Sequence, residues 1–71
     1  IIDERVVSFT RQGDTDAIIF VNRSGDDIVF ENIDKLMPRF KDFGKMYGEF
    51  ENNTVKIKPY GYTIISAKFI G

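Results

Sequence analysis

The chain has no cysteine, no histidine and no tryptophan, and only two prolines. Without cysteine it carries no disulfide, no thiolate zinc site and no thiol nucleophile. Without histidine it has no imidazole base, no imidazole metal ligand and no Ser-His-Asp triad. No apolar run approaches the roughly 18 residues a membrane helix needs, so no membrane partner is expected. There is no excess of one charge either: ten basic residues face eleven acidic ones, for a net charge of -1. That balance argues against a nucleic-acid partner. The start Ile1-Ile2-Asp3-Glu4 lacks the basic stretch and apolar core of a signal peptide. It also lacks Met, which fits a piece of a longer chain. The lack of cysteine tilts the expected compartment towards a reducing, cytoplasmic interior.

What remains is a globular composition. Over 71 residues, 42% are hydrophobic and 30% charged, with seven Phe and three Tyr. Residues 1–71 read as one domain. A domain this small buries only about 60–65% of the surface of its unfolded chain. Its apolar core must stabilise it unaided, or it leans on a partner.

The pattern along the chain is that of strands. Arg5 to Arg11 carries Val6, Val7 and Phe9, followed by a turn around Gly13-Asp14. Asp16 to Asn22 holds Ala17-Ile18-Ile19-Phe20-Val21, apolar on both faces, as a central strand is. After Ser24-Gly25 a third strand covers Asp27 to Asn32. Short turns between the three predict an antiparallel meander. Ile33 to Met46 contains Pro38 and Gly44 and reads as a long connection crossing between sheets. Within it Asn32 is placed to cap one helical turn over Ile33 to Leu36. Strand character returns at Met46 to Glu51, then a turn at Asn52-Asn53, then Thr54 to Lys58 with Val55 and Ile57 inward. Pro59 marks an edge or bulge before a last strand, Gly61 to Lys68. The expected fold is all-β: a small antiparallel β-sandwich, Greek-key-like, of about six strands or slightly more. Val7, Phe9, Ile18, Phe20, Ile28, Phe30, Val55, Ile57, Ile64 and Ile65 are the expected core. A register error of one residue would exchange its faces.

Val6 to Arg11, Gly13-Asp14, Ile18 to Ser24 and Gly48 to Ile65, with Val55-Lys56-Ile57-Lys58-Pro59-Tyr60-Gly61-Tyr62 within the last, form an ordered set. In that order they resemble the C-terminal β-domain (domain C) of α-amylase-family glycoside hydrolases, the neopullulanase, maltogenic-amylase and α-glucosidase-like members above all. Residues 33–46 lie outside the resemblance. It implies a non-catalytic accessory domain, packed against the catalytic (β/α) barrel of its parent chain in α-glucan metabolism. Catalytic carboxylates in that family lie on the barrel, so none is carried over and no cofactor is expected. An excised domain of this kind would expose an apolar patch and tend to self-associate.

Several groups are candidate sites. Asn22, Arg23 and Ser24 suit a loop touching the barrel, or else form a turn, which Asn and Ser favour. Tyr60 and Tyr62 share a strand face at a spacing of two, and with Tyr47 or Phe50 they offer a carbohydrate-binding platform for α-glucan. Alternatively they are core rings with hydroxyls at the rim. Arg39 to Tyr47 interleaves basic and aromatic residues, but Asp42, Glu49 and Glu51 break its charge. Phe40 and Phe43 are better read as anchors of a loop to the core. Asp14 with Asp16, and Asp26 with Asp27, fall short of a calcium loop. Asn22-Arg23-Ser24 and Asn52-Asn53-Thr54 match the N-glycosylation acceptor pattern. Glu31, Glu49 and Glu51 show no spacing suited to paired acid–base work, so no metal and no catalytic residue is assigned. A third reading is an unrelated small β-barrel that binds protein through an open strand edge.

Overall fold

The computed structural model describes residues 3–71. The start at Ile1-Ile2, read above as the edge of a piece, lies outside the described residues. Seven strands and one helical turn follow in order: β1 (Val6–Arg11), β2 (Ala17–Asn22), β3 (Ile28–Phe30), α1 (Ile33–Leu36), β4 (Phe40–Tyr47), β5 (Glu49–Glu51), β6 (Thr54–Ile57) and β7 (Tyr62–Phe69). They form two antiparallel sheets, one in the order β1-β2-β7-β4 and the other β3-β6-β5. The architecture is the expected small all-β sandwich.

The core lies between the sheets. Ile18, Phe20, Ile65 and Ala67 face inward from the large sheet; Ile28, Phe30, Val55 and Ile57 face them from the small one, and Ile33 of α1 closes the end. Phe20 and Phe30 meet across the gap with ring centroids 5.9 Å apart. Alternation places Val55 and Ile57 inward, as the sequence pattern predicts.

Three expectations need correction. The first three strands are not a meander: β3 leaves β2 and pairs with β6, Phe30 opposite Val55. Residues 33–46 are not a long loop, because α1 and most of β4 lie there, and β4 runs along β7. Its pattern is hard to read because two register shifts, between Lys41 and Gly44 and between Lys45 and Tyr47, break the period of two. Finally, Val7, Phe9 and Ile64 are not core residues; Val6 is buried instead, and Phe9 is 54% exposed. Val6 and Val7 are both apolar, so the sequence leaves the phase of β1 open, and a shift of one position exchanges the faces.

Two turns have a clear local cause. Asn52 and Asn53 both adopt left-handed φ (50° and 62°) between the paired Glu51 and Thr54. A two-residue hairpin loop of this hand matches strand twist, and Asn tolerates it. Lys58-Pro59-Tyr60-Gly61 closes with the Gly61 amide donating to the Lys58 carbonyl at 2.9 Å, Tyr60 taking a φ of 55°. α1 is capped differently from the expectation. Asn32 makes no side-chain cap bond; instead the Ile33 amide donates to the Asn53 carbonyl at 3.0 Å. The Asp34 amide donates to Asn53 Oδ1 at 3.3 Å, so the hairpin turn caps the helix.

Candidate functional site

The outer face of the large sheet carries the most unusual arrangement. Residues directly opposite one another across a sheet share a face. Phe9 pairs with Ile19, Ile19 with Ile64 and Ile64 with Tyr47, giving one apolar row across all four strands. Val7, Val21 and Tyr62 form the next row. Sheets that face water on one side normally alternate to polar residues there. Here the outward positions are aliphatic or aromatic over two consecutive rows.

Tyr47 and Tyr62 end these rows. They are 54% and 49% exposed, and their rings stack with centroids 4.8 Å apart and planes 17° from parallel. Tyr62 ionises above the usual phenol range, first because a charge on Tyr47 would repel its own, then because of hydrogen bonding to Tyr47 and partial burial. Beside the pair runs an open groove of about 430 Å³, bordered by Glu49, Lys56, Lys58 and Thr63. Gly48 shapes it: at φ 90° a Cβ there would come within 2.8 Å of Thr63 Oγ1 and 3.2 Å of its Cα.

Tyr60 does not join that pair. It precedes β7, and its left-handed backbone turns it the other way, so the spacing of two carries no shared face. Its amide donates to the Ser24 carbonyl at 3.0 Å and its ring, 77% exposed, lies against Gly25. The structure thus brings Tyr62 beside Tyr47 and not beside Tyr60. Phe50 is half-buried and packs on the core.

Asn22, Arg23 and Ser24 form a structural turn. Asn22 is 1% exposed. Its Nδ2 donates to the carbonyls of Asp26 (2.6 Å), Ile57 (3.2 Å) and Lys58 (3.1 Å). Its Oδ1 accepts from the amide and hydroxyl of Ser24 at 2.9 and 2.8 Å. A side chain so enclosed is not free to touch a barrel or to accept a glycan, whereas Asn52 is exposed. Arg23 is exposed and donates to the Glu4 carbonyl at 2.8 Å. Thr63, also buried, donates its hydroxyl to the Lys56 carbonyl at 2.7 Å. Asn22 and Thr63 thus tie the large sheet to β6, and among the described residues no buried side-chain polar atom lacks a partner. Sequence reasoning missed Thr63; its one signal is a hydroxyl at an inward position of an apolar strand.

The acidic pairs have local partners. Asp16 Oδ1 accepts the Gly13 amide at 3.3 Å and Oδ2 the Phe69 amide at 3.0 Å, which ties the first turn to the end of β7. Asp26 lies 3.5 Å from Arg5, which also pairs with Asp3 at 2.9 Å. Hydrogen bonds from Arg5 lower the Asp3 carboxyl from 3.8 to about 2. Among the described residues no group of three or more acidic side chains gathers as a metal site, and no helix is long and apolar enough to cross a membrane. Phe40 and Phe43 do pack against the core, from an edge strand and not from a loop. Compared with protein-family models, with curated proteins and with solved structures, the chain matches none.

Proposed function

We propose that the chain is a non-catalytic accessory domain that docks on a larger protein surface through the outer face of its four-stranded sheet. One observation carries the reading: Phe9, Ile19, Ile64 and Tyr47 form a continuous apolar row, with Val7, Val21 and Tyr62 beside it. Apolar area presented to water this way is stabilised when a second layer covers it. The partner to which the sequence resemblance points is the catalytic (β/α) barrel of an α-amylase-family glycoside hydrolase. On this reading the contact is made by the sheet face, and Asn22 and Ser24 serve the fold.

The test is a two-dimensional amide titration of the labelled chain with a neopullulanase-type enzyme lacking its own domain C. Shifts and broadening are expected at Val7, Phe9, Ile19, Val21 and Ile64, and Ile19→Lys is expected to abolish them. Binding that Ile19→Lys leaves intact would sink the sheet-face reading. No binding would remove the barrel as partner.

A second reading, carbohydrate binding, is favoured by the groove beside Tyr47 and Tyr62, near Lys56, Lys58 and Glu49. The rings stack on each other, so each offers a sugar at most its remaining face. Titration with maltooligosaccharides at millimolar concentration separates the two readings. Shifts confined to Tyr47, Tyr62 and Lys56 would favour the sugar, and an unmoved spectrum would remove it.

A further inference from the structure

The four strand edges are not alike. β4 has two register breaks, left-handed Asp42 and the exposed Lys41 and Lys45, all of which hinder pairing with another strand. β3 and β5 are three residues each, β3 flanked by Asp27 and Glu31 and β5 bearing Glu49 and Glu51. β1 has no register break and no left-handed residue, and its one charged side chain is Arg11 at its end. It pairs with β2 through six consecutive positions without a break, has no proline, lysine or acidic residue, and exposes Ser8 to Arg11. Among the described residues no strand lies on its other side.

Hydrogen-bond alternation identifies which groups of β1 point to that open side. The Arg23 amide donates to the Arg5 carbonyl, and Arg5 continues the register one step beyond Val6 opposite Asn22. Arg5, Val7, Phe9 and Arg11 therefore turn their amides and carbonyls to β2, and Ser8 and Thr10 turn theirs outward. The Val6 amide also lies on the outer side but is taken by the Asp3 carbonyl at 3.0 Å.

We propose that the open edge of β1 pairs antiparallel with β1 of a second copy of this chain, with Phe9 opposite Phe9 on the two-fold axis. This register places Ser8 opposite Thr10 of the other copy on both sides of the axis. It uses all four outward groups of those two residues and leaves the occupied Val6 amide alone. Phe9 meets its counterpart at a position without direct backbone bonds, where side chains approach most closely. Arg11 falls opposite Val7. Centring the pair on Ser8 instead would set Arg11 against Arg5, like charges directly opposed, and would require the Val6 amide. The chosen register also joins the two outer faces side by side into one eight-stranded sheet, so it is independent of whether that face docks elsewhere.

The experiment combines sedimentation equilibrium with amide hydrogen exchange across a concentration series of the full chain. The mean mass is expected to rise from 8.2 kDa towards twice that value. The Ser8 and Thr10 amides are expected to gain protection in step with it, while the Phe9 amide stays protected throughout. Phe9→Lys puts two cations face to face and should weaken association by about tenfold or more. Ser8→Pro removes an outward donor at an edge position that tolerates proline, and should do the same without disturbing β2. Tyr62→Ser should leave both readouts unchanged. A mass that stays at one chain at millimolar concentration overturns the proposal. So does association with Ser8 and Thr10 unprotected, or association lost in Tyr62→Ser but kept in Ser8→Pro.

Discussion

Asn22 shows how much one side chain holds. It spans the turn after β2 and reaches two carbonyls at the end of β6, so truncation leaves three acceptors and the Ser24 donors without their partner. Asn22→Ala is expected to cost about 3 kcal/mol in urea unfolding, since buried unsatisfied groups are expensive. Asp3 acts at the surface, and its effect is one of pH. Its carboxyl is held at about 2 in the fold, so its contribution is complete above the ordinary carboxyl range and is lost as pH falls through about 2. Asp3→Asn should remove that part of the acid dependence from an unfolding titration. Tyr62 behaves in the opposite sense: its raised value favours the neutral phenol, so its contribution is present below the usual tyrosine range and lost as pH rises through the folded value. Tyr47→Phe should bring Tyr62 back towards ordinary titration, followed by phenolate absorbance.

Among the elements, α1 and the β5–β6 hairpin depend on each other. Asn53 supplies both the left-handed turn and the cap of α1. Asn53→Gly keeps the left-handed backbone and the carbonyl that accepts from Ile33 but loses the side-chain cap on Asp34, whereas Asn53→Ala loses that cap and also strains the turn. The glycine variant should be destabilised by about 1 kcal/mol and the alanine variant by about 2 kcal/mol in thermal unfolding. The turn was legible from Asn52-Asn53, because left-handed φ is a property of those two residues. The cap was not, because Asn53 and Asp34 are neighbours only after β6 has brought the hairpin to the helix. β4 was missed for a related reason. Its bulges let Phe40 and Phe43 both reach the core while Lys41 and Asp42 stay outside, and no simple alternation survives in the sequence.

On the scale of the whole molecule, the large sheet is apolar on both faces, and among the described residues only one of them is covered by a second sheet. Ile18 and Phe9 illustrate the contrast. Ile18→Ala empties a fully buried site and should cost about 3 kcal/mol, while Phe9→Lys should leave the monomer within about 0.5 kcal/mol of wild type. Chemical denaturation of both variants at low concentration checks this. A loss in Phe9→Lys comparable to that in Ile18→Ala would mean that the outer face contributes to the isolated fold.

From the order of residues alone follow the strands before Gly25 and after Asn52, their turns, and the inward placement of Ile18, Phe20, Val55 and Ile57. Those features follow from local propensity and the period of two. Contacts made in the folded chain are what send β3 to the second sheet, Val6 and not Phe9 into the core, Ile65 and not Ile64 inward, and Tyr62 to Tyr47 and not to Tyr60. Each depends on which strand lies alongside and in what register, and that is settled by packing between residues far apart in the chain.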